Sequence, residues 1–209
     1  MANKLLSPVQ KQVEQGINIL KEGGIVAFPT DTVYGLGASM NIPRAVARVY
    51  AVKERPQNMP LPLLLADKSQ IEEVAEAVPP VARLLADKFL PGALTMVLLK
   101  SKAVPDTVSG GGKTIAIRIP AHPVPLALIQ GLGTPIIGTS ANLSGRPSAL
   151  TAEEVETQLD GKVELIIDGG RCPGGKESTV VDLTGETPVI LREGAISKKE
   201  LEDAYRHWR

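Results

Sequence analysis

The 209-residue sequence contains one cysteine, Cys172, and two histidines, His122 and His207. A single thiol excludes an internal disulfide and a multi-cysteine zinc site, and it suits a reducing compartment. Neither histidine has a triad neighbour in sequence, so catalysis by zinc or by a Ser-His pair is not expected. An excess of charge of either sign is also missing, because 23 Lys and Arg balance 23 Asp and Glu. With no global positive field, nucleic acid could be held only through a local cluster of basic side chains. No apolar run approaches membrane-spanning length, and the opening MANKLLSPVQ has no signal-type apolar core. A cytoplasmic protein without membrane contact is therefore expected. Repeats and long polar linkers are lacking too, so the expectation is one domain over 1–209, its motif-bearing core at about 10–196.

What is present alternates between two periodicities. Ser7 and Pro8 read as N-cap and first residue of a helix in which Val9, Val13, Ile17 and Leu20 share one face until Gly23. Strands are predicted at 25–28, 61–65, 94–99, 114–119, 135–137, 163–167, 178–183 and 189–192. Several are continuously apolar, which predicts cover on both faces. Helices are predicted at 43–52, 69–77, 81–89, 124–130, 151–159 and 197–207; the last two open with the capping boxes TAEE and SKKE. Interleaved strands and helices give an α/β (α+β) fold, and the hairpin-like pair near the end makes the sheet mixed.

Polar chemistry gathers in three places. In GGIVAFPTDTVYGLGA, residues 23–38, a buried strand gives way to Thr30, Asp31 and Thr32, and then to glycines that suit a turn or a close backbone approach. The stretch is either a pocket rim or a strand-terminating turn, and Asp31 is read as a turn residue. In KERPQNMPL, Lys53 and Arg55 stand at a helix C-terminus, where they either complement the helix dipole or clamp phosphates. In GTSANLSGRPS, Ser140 and Asn142 lie two apart, so in an extended segment a hydroxyl and an amide share one side. They cradle an anion or a nucleotide, or else they only build a turn. Two phosphate-loop lookalikes fail. GRCPGGK leads to Glu177 where the motif needs Ser or Thr, GGGKT lacks the first glycine, and both run into strands.

In order and spacing, FPTDTVYGLG, KERPQNMPL, PGALTMVL, TIAIRIPAHP, TSANLSGRPS and ESTVVDLTGETPVILREGAI resemble the YrdC family of threonylcarbamoyl-adenylate synthases, over roughly residues 23–196. The resemblance implies a twisted sheet flanked by helices around a large concave site. It also implies synthesis of threonylcarbamoyl-adenylate and pyrophosphate from L-threonine, bicarbonate and ATP with Mg²⁺. Partner proteins would then transfer the threonylcarbamoyl group to tRNA, beside the anticodon. Carried over by position, Lys53, Arg55, Ser140 and Asn142 contact ATP, with Lys53 and Arg55 stabilising charge in the reaction. Thr114, Ser148 and Arg192 fall on the nucleotide side. Thr30, Arg118 and Ser178 fall on the L-threonine side, with Arg118 meeting the carboxylate. The Mg²⁺ ligands are not assigned.

Two departures stand out. Leu64 occupies a position where many relatives carry histidine, and the chain reads as the form of the family without a linked C-terminal domain. Two other readings remain: a tRNA- or double-stranded-RNA-binding module without catalysis, and carbamoyl transfer of the kind seen in hydrogenase maturation. Neutral net charge weakens the first. The second lacks the zinc-finger-like and acylphosphatase-like parts that accompany that activity.

Overall fold

The computed structural model describes residues 7–206. Helix α1 (Ser7–Lys21) carries Pro8 in its first turn, where the missing N–H removes no helical bond. It buries Val13 and Leu20 and packs Val9 and Ile17 beside them, as the spacing requires. The cap assigned to Ser7 rests on a side chain outside the described residues, and His207 lies outside them as well. Strands β1 (Val26–Phe28) and β2 (Gly35–Ser39) then form an antiparallel pair. There follow α2 (Pro43–Lys53), β3 (Leu63–Leu64), α3 (Ser69–Val74), α4 (Pro80–Phe89) and β4 (Leu94–Leu99). After these come α5 (Asp106–Ser109), β5 (Thr114–Arg118), α6 (Pro123–Leu132), β6 (Ile136–Ser140) and α7 (Ala152–Leu159). The chain continues through β7 (Leu165–Ile166), β8 (Thr179–Asp182), β9 (Val189–Arg192) and α8 (Lys198–Tyr205). Both predicted N-caps form: Thr151 accepts from the Glu154 N–H and Ser197 from the Glu200 N–H, each at 3.2 Å, while the Glu154 carboxylate reaches back past the N-cap to the Leu150 N–H at 2.7 Å.

Among the described residues the strands make one mixed sheet in the order β7-β1-β2-β6-β3-β5-β4-β8-β9. Three neighbouring pairs are parallel (β1 with β7, β3 with β5, β4 with β8) and the rest antiparallel. Strand alternation sends Ala27, Leu36, Leu63, Met96, Ile117, Ile137 and Val181 into the main core, with residues of α2, α4, α7 and α8. The opposite face carries Val26, Phe28, Leu64 and Ile136, which form a second core beneath α1 and α6. At roughly 1.5–3 kcal/mol for each large apolar side chain removed from water, both cores contribute substantially to stability. Helices α1 and α6 cover only part of this second face. Among the described residues no helix is long and apolar enough to cross a membrane.

Three expectations are corrected. The glycines read as suiting either a turn or a close backbone approach serve close approach, and they do so in a strand that was not expected, β2, buried throughout. A Cβ on Gly35 would lie 2.7 Å from the Phe28 ring, and one on Gly37 would lie 2.6 Å from it. Helix α5 was not expected; its four residues are too few to show a periodicity. Cover on both faces also fails beyond α1 and α6, because Thr95, Ala116, Arg118, Gly138, Ser140 and Val180 line an open concavity.

Candidate active site

The uncovered part of the sheet floors a cavity of about 590 Å³. Alternation decides its floor. In TIAIR, Ile115 and Ile117 enter the main core while Ala116 and Arg118 face the cavity. In IIGTS, Gly138 and Ser140 follow Ile136 onto the same face. The walls are the end of α2 and its following loop, the loop after β6, the start of β8 and Arg192 at the end of β9.

Lys53 ends α2 and is buried. Its Nζ donates to the carbonyls of Ser140 (2.5 Å) and Asn142 (2.8 Å), tying the helix to the loop after β6. An ammonium carries three N–H groups, so one remains for a ligand. Burial, aided by the neighbouring Arg55, lowers the Lys53 pKa to about 8, against the opposing pull of Glu177. Glu54 caps α2 in the left-handed conformation (φ 52°), which turns the chain so that Lys53 and Arg55 both line the cavity. Arg55 donates to the Pro60 carbonyl at 2.9 Å, while its Nε is buried without a partner. Asn142 donates from Nδ2 to the carbonyls of Leu143 (2.9 Å) and Arg146 (2.7 Å), leaving Oδ1 buried and unpaired. An unpaired buried donor and acceptor, on two adjoining walls of the cavity that Lys53 ties together, are the kind of groups a polar ligand would satisfy.

On the opposite side Arg118 is held at three points. Nε donates to Gly92 O (2.9 Å), one terminal nitrogen to Thr32 Oγ1 (2.8 Å), and the other to Asp31 Oδ1 (2.6 Å). Two of its five N–H groups remain. Asp31 also accepts from the Ala121 N–H at 3.0 Å, so it is the counter-ion of Arg118, a correction to its reading as a turn residue. Its partner lies 87 residues away, beyond the reach of local sequence reasoning. Burial lowers the Arg118 pKa and Asp31 opposes that shift. Ser178 Oγ meets Thr95 Oγ1 at 2.7 Å on the floor, and Arg192 donates to the Ser178 carbonyl (2.9 Å) while pairing with Glu177.

The cavity thus brings together Lys53, Arg55, Ser140, Asn142, Arg118, Ser178 and Arg192. Three expected residues do not line it. Thr30 is buried, with its hydroxyl donating to the Val33 carbonyl (2.6 Å) and accepting from the Thr32 N–H (3.0 Å); it shapes the loop, and Thr32 faces the cavity in its place. Thr114 lies on the strand face shared with Ala116 and Arg118, outside the lining. Ser148 donates to Glu177 Oε1 at 2.6 Å from behind the wall. Sequence reasoning missed Thr95, Arg146 and Glu177 as lining residues. Thr95 had a signal, as the polar residue inside LTMVLL. Among the described residues no group of three or more His, Cys, Asp or Glu could hold a metal, so the donor set does not fit a resident magnesium site.

The geometry agrees with what the chain is similar to. A threonylcarbamoyl-AMP synthase of Bacillus subtilis (strain 168) is 46% identical over 198 residues, 94% of this chain and 57% of that protein. One of Pyrococcus abyssi (strain GE5 / Orsay) is 47% identical over 183 residues, 88% of this chain and 54% of that protein. The crystal structure of P. abyssi Sua5 complexed with L-threonine superposes with a TM-score of 0.90 at 44% identity, covering 94% of this chain and 57% of that one. The chain spans about half the length of the curated relatives it matches. Over residues 18–194 it matches the Sua5/YciO/YrdC family, described as telomere recombination, and it belongs to that family.

Proposed function

We propose that this chain is a nucleotidyltransferase that forms L-threonylcarbamoyladenylate and pyrophosphate from L-threonine, bicarbonate and ATP. The observation that carries the reading is the convergence of two half-sites in one cavity. One is cationic, Lys53 and Arg55 from the end of α2 with Arg192 from the end of β9; the other is a fixed guanidinium, Arg118, beside the Thr32 hydroxyl. The likeness to a Sua5 structure complexed with L-threonine supports the second half.

In the first step the threonine nitrogen forms a bond to the bicarbonate carbon and water leaves, giving a carbamate. A carbamate oxygen then attacks the α-phosphorus of ATP, the bond to the β-phosphate oxygen breaks, and pyrophosphate departs. No protein nucleophile is needed. Arg118 would orient the amino-acid carboxylate, while Lys53, Arg55 and Arg192 would face the negative charge that develops on the phosphates. Magnesium would arrive with the nucleotide, because among the described residues no cluster of three or more carboxylate, imidazole or thiol groups stands ready to hold it. The product would serve the N6-threonylcarbamoyladenosine modification of tRNA through downstream transferase proteins, in the cytoplasm. The basic side chains lining the cavity turn toward a small-molecule volume, so the RNA-binding reading is set second.

The test is pyrophosphate release by the purified protein with ATP and Mg²⁺, with and without L-threonine and bicarbonate. Release should require both co-substrates and fall about 10²–10³-fold in Arg192→Ala, as for loss of one electrostatic stabiliser. Release independent of L-threonine would overturn the reading.

A further inference from the structure

Among the described residues Glu177 is the only carboxylate lining the cavity, facing five basic side chains, Lys53, Arg55, Arg118, Arg146 and Arg192. Its Oε2 pairs with Arg192 and its Oε1 accepts from Ser148 Oγ at 2.6 Å. A carboxylate offers about four lone-pair sites, so both oxygens keep acceptor capacity, and the side chain is 35% exposed. A negative group in this place is unfavourable for two of the three substrates, because triphosphate and bicarbonate are anions. Only the amino acid brings a positive charge, its α-ammonium, which five cations would otherwise repel.

Position favours the same substrate. Glu177 immediately precedes Ser178, whose hydroxyl lies on the floor against Thr95. Arg192 binds the Glu177 carboxylate and the Ser178 carbonyl together. Thr95, which meets the Ser178 hydroxyl, precedes Met96 of β4, the partner of Ile117 on β5, and so adjoins Arg118, whose Nε donates to the Gly92 carbonyl just before β4. The acid and Arg118 therefore flank one region of the cavity. We propose that Glu177 binds the α-ammonium of the amino-acid substrate while the free N–H groups of Arg118 bind its carboxylate, so that each charge of the zwitterion meets its opposite. The assignment rests on the synthase reading above. It also gives the site a direction of travel. When the ammonium and bicarbonate become carbamate, a water molecule and one proton leave to solvent, and the nitrogen loses its positive charge. Glu177 then releases its hold, and the new anion is drawn to the basic wall.

The experiment compares two ligands across three proteins by calorimetry: L-threonine and 3-hydroxybutyrate, which is threonine without its amine, against wild type, Glu177→Gln and Glu177→Asp. Glu177→Gln should weaken L-threonine about 10- to 100-fold, as expected for loss of a charged hydrogen-bond partner, and leave 3-hydroxybutyrate unchanged. Glu177→Asp, which keeps the charge on a shorter stem, should recover part of the loss. Equal weakening of both ligands by Glu177→Gln would overturn the assignment in favour of a packing role. Unchanged L-threonine binding would overturn it as well, and if Mg²⁺-dependent ATP binding were lost in the same variant the carboxylate would belong to the metal. A wild-type protein that binds ATP but no L-threonine would instead overturn the synthase reading, and this assignment with it.

Discussion

Asp31 and Arg118 sit at 16% and 9% side-chain exposure, with their atoms 2.6 Å apart, so neither charge has water to fall back on if the other is removed. Asp31→Ala leaves a buried guanidinium uncompensated. It should lower unfolding free energy by about 3–5 kcal/mol, measured by urea denaturation, with a matching loss of amino-acid binding. Lys53 poses the converse problem, a buried charge held by carbonyls. Its folded pKa, about 8, lies below the ordinary 10.5, so between these values the unfolded chain holds a proton that the native chain has released. Stability contributed by this group therefore rises with pH across that window, and a Lys53→Met variant should lack the rise. Phosphate binding needs the charged form. With about one tenth of Lys53 charged one unit above its pKa, ATP affinity by calorimetry should fall roughly tenfold between pH 7 and pH 9.

At the scale of elements, the central strands depend on glycines that admit a neighbour's side chain. Phe28 on β1 lies over Gly35 and Gly37 of β2, and Leu64 on β3 lies against Gly138 of β6. A methyl at Gly138 would overlap Leu64, so Gly138→Ala should destabilise by about 1–3 kcal/mol and distort the cavity floor. The double variant Gly138→Ala with Leu64→Ala should recover part of that loss, and a thermodynamic cycle would measure the coupling. Additivity instead would mean that the two side chains do not compete for this space. This pair also shows what Leu64 does where many relatives carry a histidine: it joins the second core and the cavity floor, adding to the apolar lining that Val33, Met59 and Val180 contribute.

At the scale of the molecule, a nine-stranded sheet carries unequal cover, and protection should follow it. Amides of β2, β6, β3 and β5, inside the sheet, should exchange slowest, and those of the edge strands β7 and β9 fastest. Adding ATP and L-threonine should slow exchange most in the loop after β6 and at β9, the two walls that carry Asn142 and Arg192. Uniform protection across the sheet would argue against binding in this cavity. Much of the framework was legible in the chain. Periodicity marked α1, β4 and β9, and capping chemistry marked α7 and α8, because these signals are local. β2 was not legible, since its glycines look like a turn until Phe28 is placed above them. Asp31 was not legible either, since its partner is distant in sequence. The sequence by itself determined the mixed α/β order, the basic and hydroxyl residues brought to strand and helix ends, and the family resemblance, all of which depend on neighbours within a few positions. Tertiary structure alone decided which sheet face stays bare, that Thr32 and not Thr30 faces the cavity, and that one carboxylate stands among five cations. Those outcomes depend on contacts between segments far apart in the chain, whose geometry exists only once the sheet has formed.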